Sequence, residues 1–405
     1  MSIFYMEGRQ TILKLLNGLR LMTLIVAIAS LAGCLKENTP EAQVDPKRHF
    51  RPKAGSQELE GGDECEILSI LTWSNYFVPS VIHQFENEFG CQIEVTEVGN
   101  SAQMMQAFES DPVAFDIVVA DDRTFSHFLN LHLLAELDHD RISQLKEIST
   151  EFKGLYFDPE NGYSVPYLWG STMLACRSDK VEVIDSSWEM LWRSDLKGKI
   201  AMIDEPEDLF FITLMSMGVD PYYSTEVEIA EARRRLLDAF VRQNGKMLDF
   251  SSGLNSLESG LNDLAITYSG DAALRAEANG SIVVVCPKEG CPIWVDSFGI
   301  SKETSDSVLC HQFIDFMCRP EVAAETANKL CYSSPNEGAK KMIEPGLLEN
   351  RALYPEKKMM VKSRFIRFSK TSEIFVKNEI KRLFGELRSQ GVSPNGEVAL
   401  SSGAQ

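Results

Sequence analysis

Positive charge is scarce in this chain: 40 Lys and Arg stand against 59 Asp and Glu, a formal net charge of −19 over 405 residues. A nucleic-acid partner is thereby disfavoured, because phosphate contacts need a basic face. Long apolar runs are lacking as well. No internal stretch reaches the roughly 18 apolar residues of a membrane span. Catalytic signatures are missing: there is no Gly-x-Ser-x-Gly, no His-Glu-x-x-His, no phosphate-cradling Gly-x-x-x-x-Gly-Lys loop and no dinucleotide fingerprint. His is sparse, at six, and no Cys-x-x-Cys pair occurs. With neither a nucleophile–base pair nor a metal cluster in view, the expectation is a protein that is not an enzyme and carries no cofactor or metal.

What is present is the composition of a globular protein, 44% hydrophobic and 24% charged, with length enough for two domains. An acidic protein field concentrates cations around itself, which suits a cationic ligand, though solubility alone also accounts for the charge.

The N-terminus carries an address. Arg9, Lys14 and Arg20 precede Leu21 to Gly33, which is apolar apart from Thr23 and Ser30. A positive n-region followed by a short apolar stretch and small residues is a secretory signal, here residues 1–33. The ending Leu31-Ala32-Gly33-Cys34 resembles the lipobox of bacterial lipoproteins, which implies cleavage before Cys34, lipidation of its thiol and membrane contact through the lipid. Residues 34–64 are polar, with Pro40, Pro46, Pro52 and a Gly61-Gly62 pair. They read as a disordered tether.

Nine cysteines occur. Setting Cys34 aside leaves an even number, which outside the cytoplasm suggests disulfides. Cys65 and Cys91 each open an apolar strand, and the two strands should be parallel neighbours, so a Cys65–Cys91 bond is expected. Cys286–Cys291 is a second candidate, across a short loop.

From Cys65 onward apolar strands alternate with helical patterns. Ile67 to Leu71, Ile93 to Val98 and Phe115 to Ala120 read as strands, with helices over Val78 to Phe89 and Met104 to Phe108 between them. The grammar restarts with strands at Ile200 to Ile203, Leu264 to Tyr268 and Ile282 to Val285, and helices at Glu226 to Val241 and Asp271 to Ala278. Such alternation predicts an α/β fold with parallel sheets, and its repetition predicts two lobes. Ligands of open α/β sheets lie beyond the carboxyl ends of the strands.

Aromatic and acidic residues cluster at those ends: Trp73-Ser74-Asn75-Tyr76, Asp121-Asp122-Arg123, Asp204 to Asp208, Tyr268 to Asp271, and Trp294-Val295-Asp296. Carboxylates accept charge-assisted bonds from ammonium groups, and ring faces cover methylenes and cations. This is the inventory for a flexible alkylammonium ligand. The same residues taken singly also serve as helix N-caps or plain core, and the residues alone leave both open.

Seven segments resemble periplasmic spermidine/putrescine-binding proteins, in order and at similar spacing from about Cys65 to Phe384: Leu71 to Tyr76, Phe115 to Val119, Tyr163 to Gly170, Ser187 to Trp192, Cys286 to Gly290, Trp294 to Ser297, and Tyr332 to Asn336. The resemblance implies a type II periplasmic-binding-protein fold: two lobes, each a sheet flanked by helices, with the ligand cleft between them. The lobes would be 65–170 plus 297–338, and 171–296 plus 339–390, hinged near Trp169-Gly170 and Asp296-Ser297, with 391–405 a flexible tail. It implies a monomer outside the cytoplasm that hands a polyamine, or a similar small cationic solute, to permease subunits of an ABC importer in the membrane.

Carried over by position, Trp73 and Trp294 would flank the methylenes, with Ser74 and Asn75 beside Trp73. Tyr76, Tyr268 and Tyr332 would line the cleft. Asp296, Glu205 and Asp208 would receive ammonium groups, and Ser251 or Ser252 would lie at the rim. Tyr268 stands where some members have Trp. Other departures bear on the ligand. Asn75 replaces an acid, Asp121 and Arg123 stand where Ser and Tyr usually lie, and Ile366 falls near the place of a ligand-binding Gln. Arg123 is always charged and would repel an ammonium unless Asp121 or Asp122 neutralises it. The readings that compete with polyamine capture are a site for another amino compound or for an anion held by Arg123, and a tethered ligand sensor.

Overall fold

The computed structural model describes residues 65–183 and 185–393. The signal segment, Cys34, the tether and residues 394–405 lie outside the described residues.

The first half opens with β1 (Ile67–Trp73), α1 (Pro79–Phe89), β2 (Gln92–Val98), α2 (Ser101–Ser110), β3 (Ile117–Asp121) and α3 (Asp122–Asn130). Pro79 supplies a pre-set φ at the start of α1, and Gly90 ends it in the left-handed region at φ 68°, where a residue without a Cβ is unstrained. A single long strand follows, β4 (Val165–Arg177).

The second half continues with β5 (Ile200–Ile203), α4 (Pro206–Ser216), α5 (Glu226–Val241), β6 (Lys246–Leu248), α6 (Phe250–Glu258), β7 (Leu264–Tyr268), α7 (Ser269–Ala278), β8 (Ile282–Val285) and β9 (Pro292–Ile300). A reciprocal capping box between Thr225 and Glu228 starts α5, satisfying two orphan N–H groups at once. After it come α8 (Ser307–Met317), α9 (Pro320–Leu330), β10 (Arg364–Phe365) and α10 (Lys370–Ser389). No helix among the described residues is long and apolar enough to cross a membrane.

The strands run in the order β2-β1-β3-β9-β4-β7-β5-β6, with β10 beside β9 and β8 beside β4. Pairing is parallel for β1 with β2 and β3, and for β5 with β6 and β7, as the alternating grammar predicts. The sheet is nevertheless mixed. Strand β9 runs antiparallel to both β3 and β4, and β4 runs antiparallel to β7 and β8. The alternating grammar does not cover β4 and β9, which are not βαβ strands but connectors. Residues Val165 to Ser171 of β4 pair with β9, and Thr172 to Cys176 pair with β7. One strand thus serves both halves and changes partner one residue beyond Gly170.

Two large cores flank this strand. The first packs Phe85, Phe298, Phe313 and Phe316 with Val165 to Trp169. Its rings meet edge to face, for example Phe85 with Phe313 at 5.0 Å, a preferred arrangement of ring quadrupoles. The second packs Trp188, Phe210, Phe211 and Phe240 with Leu174 and Cys176. Ile366 and the α10 residues Val376, Leu383 and Leu387 belong to this second core. Ala339 and Ile343 pack on Ala323, Ala324 and Ala327 of α9 instead.

Both cysteine expectations change. Cys65 and Cys91 are free. The parallel register sets Ile67 against Gln92, so Glu66 rather than Cys65 lies abreast of Cys91, and the Cys65 thiol donates instead to the Gly90 carbonyl at 3.4 Å. Cys286 and Cys291 are also unbonded, but their Sγ atoms stand 3.3 Å apart.

Candidate functional site

At the end of β1 the chain turns through Ser74 and Asn75 and returns at Tyr76. Asn75 takes the left-handed conformation, φ 58°, which Asn tolerates better than most residues. Its N–H donates to Glu97 Oε1 at 2.7 Å, and Ser74 bonds the Val98 carbonyl through both N–H and hydroxyl. These two exposed residues are thereby fastened to the end of β2. Their neighbours in sequence point elsewhere. Trp73 Nε1 donates to Asp296 Oδ1 at 3.1 Å, and the Tyr76 hydroxyl donates to Oδ2 of the same carboxyl group.

Asp296 sits in the middle of β9, only 3% exposed. Burial is the main force on it and pushes its carboxyl up to about 8, against the lowering effect of the Tyr76 and Trp73 bonds; the Asp121 charge on the adjacent strand raises it further. A carboxyl that is hard to ionise by itself becomes a strong seat for a cation that restores the balance.

An aromatic row leads away from this anchor. Tyr76 meets Tyr332 at 6.0 Å, Tyr332 meets Trp294 at 5.6 Å and Trp294 meets Tyr268 at 5.7 Å, all edge to face. Two glycines make the row possible. A Cβ on Gly170 would lie 2.4 Å from Trp294 Cζ2, and one on Gly270 would lie 2.6 Å from Tyr332 Cε1. The Tyr332 hydroxyl donates to Asp271 at the start of α7. Phe250 extends the row past Tyr268 at 5.6 Å.

At the other side acids of both halves gather around Arg123. Asp121 caps α3, accepting from the N–H groups of Arg123 at 3.0 Å and Thr124 at 3.1 Å. Arg123 then reaches the first turn of α4, pairing with buried Asp208 at 2.8 Å and with Glu207 at 3.4 Å, while its Nε lies 3.9 Å from Asp121. These acids hold the guanidinium firmly protonated, against the effect of burial. Glu205 precedes α4 and makes no capping bond. Burial, and then the Asp208 charge, push it up to about 8. Asp122, expected as a neutraliser of Arg123, is engaged otherwise: it accepts from Tyr156 Oη at 2.7 Å and from the Val295 N–H at 3.3 Å, and burial raises it to about 7.

Of the residues singled out in the sequence, Trp73, Tyr76, Tyr268, Trp294, Asp296 and Tyr332 form one connected group. Asp121, Arg123 and Asp208 form a second, with Glu205 within electrostatic reach. The two groups meet at the cross-strand pair Asp121–Asp296. Ser74 and Asn75 stand at the edge. Ser251 lies exposed on the first turn of α6, where Ser252 is held by the Asp249 cap, and the ring that reaches Tyr268 is that of Phe250. Ile366 is buried in the second core and does not join either group. Sequence reasoning does not single out Glu207, Asp271 or Phe250. Glu207 and Asp271 belong to the acidic strand-end segments, whereas Phe250 carries no signal of its own.

One end of the arrangement is a buried carboxyl framed by an indole and a phenol, and a row of rings in mutual contact runs from it.

Comparison with known proteins places the chain in a family. The family model described as bacterial extracellular solute-binding protein matches residues 80–350. The chain is 26% identical over 302 residues to the spermidine/putrescine-binding periplasmic protein of Salmonella typhimurium, which covers 74% of this chain and 86% of that one. A spermidine/putrescine ABC transporter substrate-binding protein from Streptococcus pneumoniae shares its fold with a TM-score of 0.71 at 24% identity, over 80% of this chain and 99% of the other. A lipoprotein of Treponema pallidum does so with a TM-score of 0.69 at 22% identity, over 78% and 99%.

Proposed function

This chain belongs to the family of bacterial extracellular solute-binding proteins, and from that premise we propose that it captures a polyamine-type alkylammonium solute and delivers it to the permease of an ABC importer. It is a binding protein of the type II periplasmic fold and not an enzyme, and it works outside the cytoplasm. The observation that carries the choice of solute is Asp296: a carboxyl buried between Trp73 and Tyr76, at the head of an aromatic row.

In this reading Asp296 takes the ammonium, Trp73 and Trp294 cover the methylenes, and Tyr76, Tyr268 and Tyr332 close the sides. Glu205 and Asp208 add negative potential, while Ser74, Asn75 and Ser251 lie at the rim. The two halves act as lobes that swing about β4 near Gly170, one of the few elements shared by both. Cys34, cleaved and lipidated, tethers the monomer to its membrane. An anion held by Arg123 is the weaker reading, since Arg123 already faces Asp208, Glu207 and Asp121.

Titration calorimetry against putrescine, spermidine, amino acids and oxyanions tests the solute class. Heat from an amine alone supports the proposal; saturable binding of an oxyanion with no response to either amine rejects it. Intact-mass analysis of the mature protein tests the anchor, which is rejected by an unmodified N-terminus upstream of Cys34.

A further inference from the structure

The acids around the aromatic row do not all await a ligand, because the chain supplies a cation to some of them. Arg123 leaves the first turn of α3, in the first half, and crosses to the first turn of α4, in the second. There its guanidinium meets Asp208 at 2.8 Å and Glu207 at 3.4 Å. Asp208 is only 2% exposed, so the carboxyl end of the pair is withdrawn from water. The two groups stand at ion-pair distance, with Asp208 Oδ1 making no hydrogen bond, and a guanidinium keeps its charge throughout the physiological range.

The position of that charge matters. Arg123 lies two residues beyond Asp121, and Asp121 stands directly opposite Asp296 in the sheet. Asp121 thus stands between the two: it faces Asp296 across the sheet, and its Oδ1 lies 3.9 Å from the Arg123 Nε. A long polycation that seats one ammonium at Asp296 and extends toward Asp208 meets a like charge on the way. It either tolerates that repulsion or displaces Arg123, leaving a half-buried guanidinium without its partner, an unfavourable exchange in a site screened from solvent.

We propose that Arg123 is the specificity-determining residue of this cleft: a built-in cation that occupies the Asp208 end, so that the site seats one ammonium fewer than its carboxylates would otherwise hold and selects a diamine over a triamine. The inference rests on the alkylammonium reading above. It concerns which member of that class is taken.

The experiment is calorimetric titration of the full-length protein in detergent with putrescine, a diamine, and spermidine, a triamine. The parent is expected to bind putrescine at least tenfold more tightly. Arg123→Ala is expected to shift the ratio of the two affinities by tenfold or more toward spermidine. Arg123→Lys, which keeps a cation, is expected to hold the ratio near that of the parent. If Arg123→Ala does not fold, Arg123→Gln removes the charge while keeping a polar side chain, and the same shift is expected of it. A parent that prefers spermidine, or a neutral variant with an unchanged ratio, overturns the inference and leaves the alkylammonium reading intact. A parent that binds neither amine overturns that reading, and the selectivity argument falls with it.

Discussion

Asp121 and Asp296 stand directly opposite each other on the antiparallel strands β3 and β9. Like charges in such a position disfavour the sheet, and the two residues avoid the conflict by different means. Asp121 turns its oxygens to the backbone of α3 and to the Thr124 hydroxyl, 2.6 Å away. Asp296, buried, retains its proton up to about 8. The site by itself thus holds less negative charge than its acids suggest, and it is ready to ionise when a cation arrives.

A stability profile follows from this. Burial raises Asp296 and Glu205 to about 8 and Asp122 to about 7, whereas in an unfolded chain these groups titrate near 4. Between those limits the folded protein binds more protons than the unfolded one, so stability falls as pH rises. Denaturant titration of the unliganded protein at pH 5.5 and pH 8.5 should show greater stability at the lower value, and Asp296→Asn should flatten part of the slope. Exposed acids held low by ion pairs, such as Glu88 beside Arg319, act at more acidic pH and leave this window untouched. Stability that climbs from pH 5.5 to 8.5 would contradict the assignment.

The same group governs binding. An ammonium seated on Asp296 needs the carboxylate, so uptake of an amine near pH 7 should release a proton, visible as a dependence of the calorimetric heat on buffer ionisation enthalpy. Removing one partner of a desolvated charge pair typically costs about 2–5 kcal/mol. Asp296→Asn should accordingly weaken amine binding by roughly 30-fold or more and abolish the proton release. An Asn variant that binds as tightly as the parent removes Asp296 from the anchoring role.

Much of this arrangement is legible in the amino-acid sequence alone. The strands at Ile200–Ile203, Leu264–Tyr268 and Ile282–Val285 and the helix Glu226–Val241 fall where the hydrophobic pattern predicts them, because each is a short element with one dominant period. Strand β4 is not legible as a strand: Pro166, Gly170, Ser171 and Thr172 interrupt its apolar pattern although nearly all of it is buried. Nor does a local pattern reveal that β9 runs antiparallel between β3 and β4, since strand direction depends on how distant segments pair. The Trp73–Asp296 bond is approachable through residue chemistry and family resemblance. The Arg123–Asp208 pair is not, because Arg123 has nearer candidates in Asp121 and Asp122 and only the junction of the two halves brings Asp208 to it.

Cys286 and Cys291, with Sγ atoms 3.3 Å apart, are placed to close a disulfide at about 2.05 Å with little movement. Exposure of the folded protein to oxidised glutathione should join these two and leave the other described thiols free. Closing so short a loop should stabilise by about 2 kcal/mol on the chain-entropy account. Peptide mapping without reduction decides it: a Cys65–Cys91 crosslink, or none at Cys286–Cys291, contradicts the geometry.

A contact that a single added carbon would disturb lies at Gly270, against Tyr332. This glycine opens α7, and an ideal Cβ there would sit 2.6 and 2.7 Å from Tyr332 ring carbons and 2.9 Å from the Cys331 carbonyl oxygen. The ring can swing away, but the carbonyl belongs to the backbone and cannot move so easily. Gly270→Ala should therefore push Tyr332 off Trp294 and break its bond to Asp271, destabilising the fold by about 1–3 kcal/mol, the usual range for overpacking. It should also lower amine affinity, because the displaced ring is part of the row that covers the solute. Gly385 provides the contrast. It lies within α10 with nothing inside 4 Å of its ideal Cβ, so Gly385→Ala should stabilise by about 0.5–1 kcal/mol through helix propensity and leave binding alone. Thermal melts and amine titrations of the two variants side by side make the comparison. A Gly270→Ala protein that melts and binds like the parent would show that Tyr332 is free to relax, and that the row does not depend on this close approach.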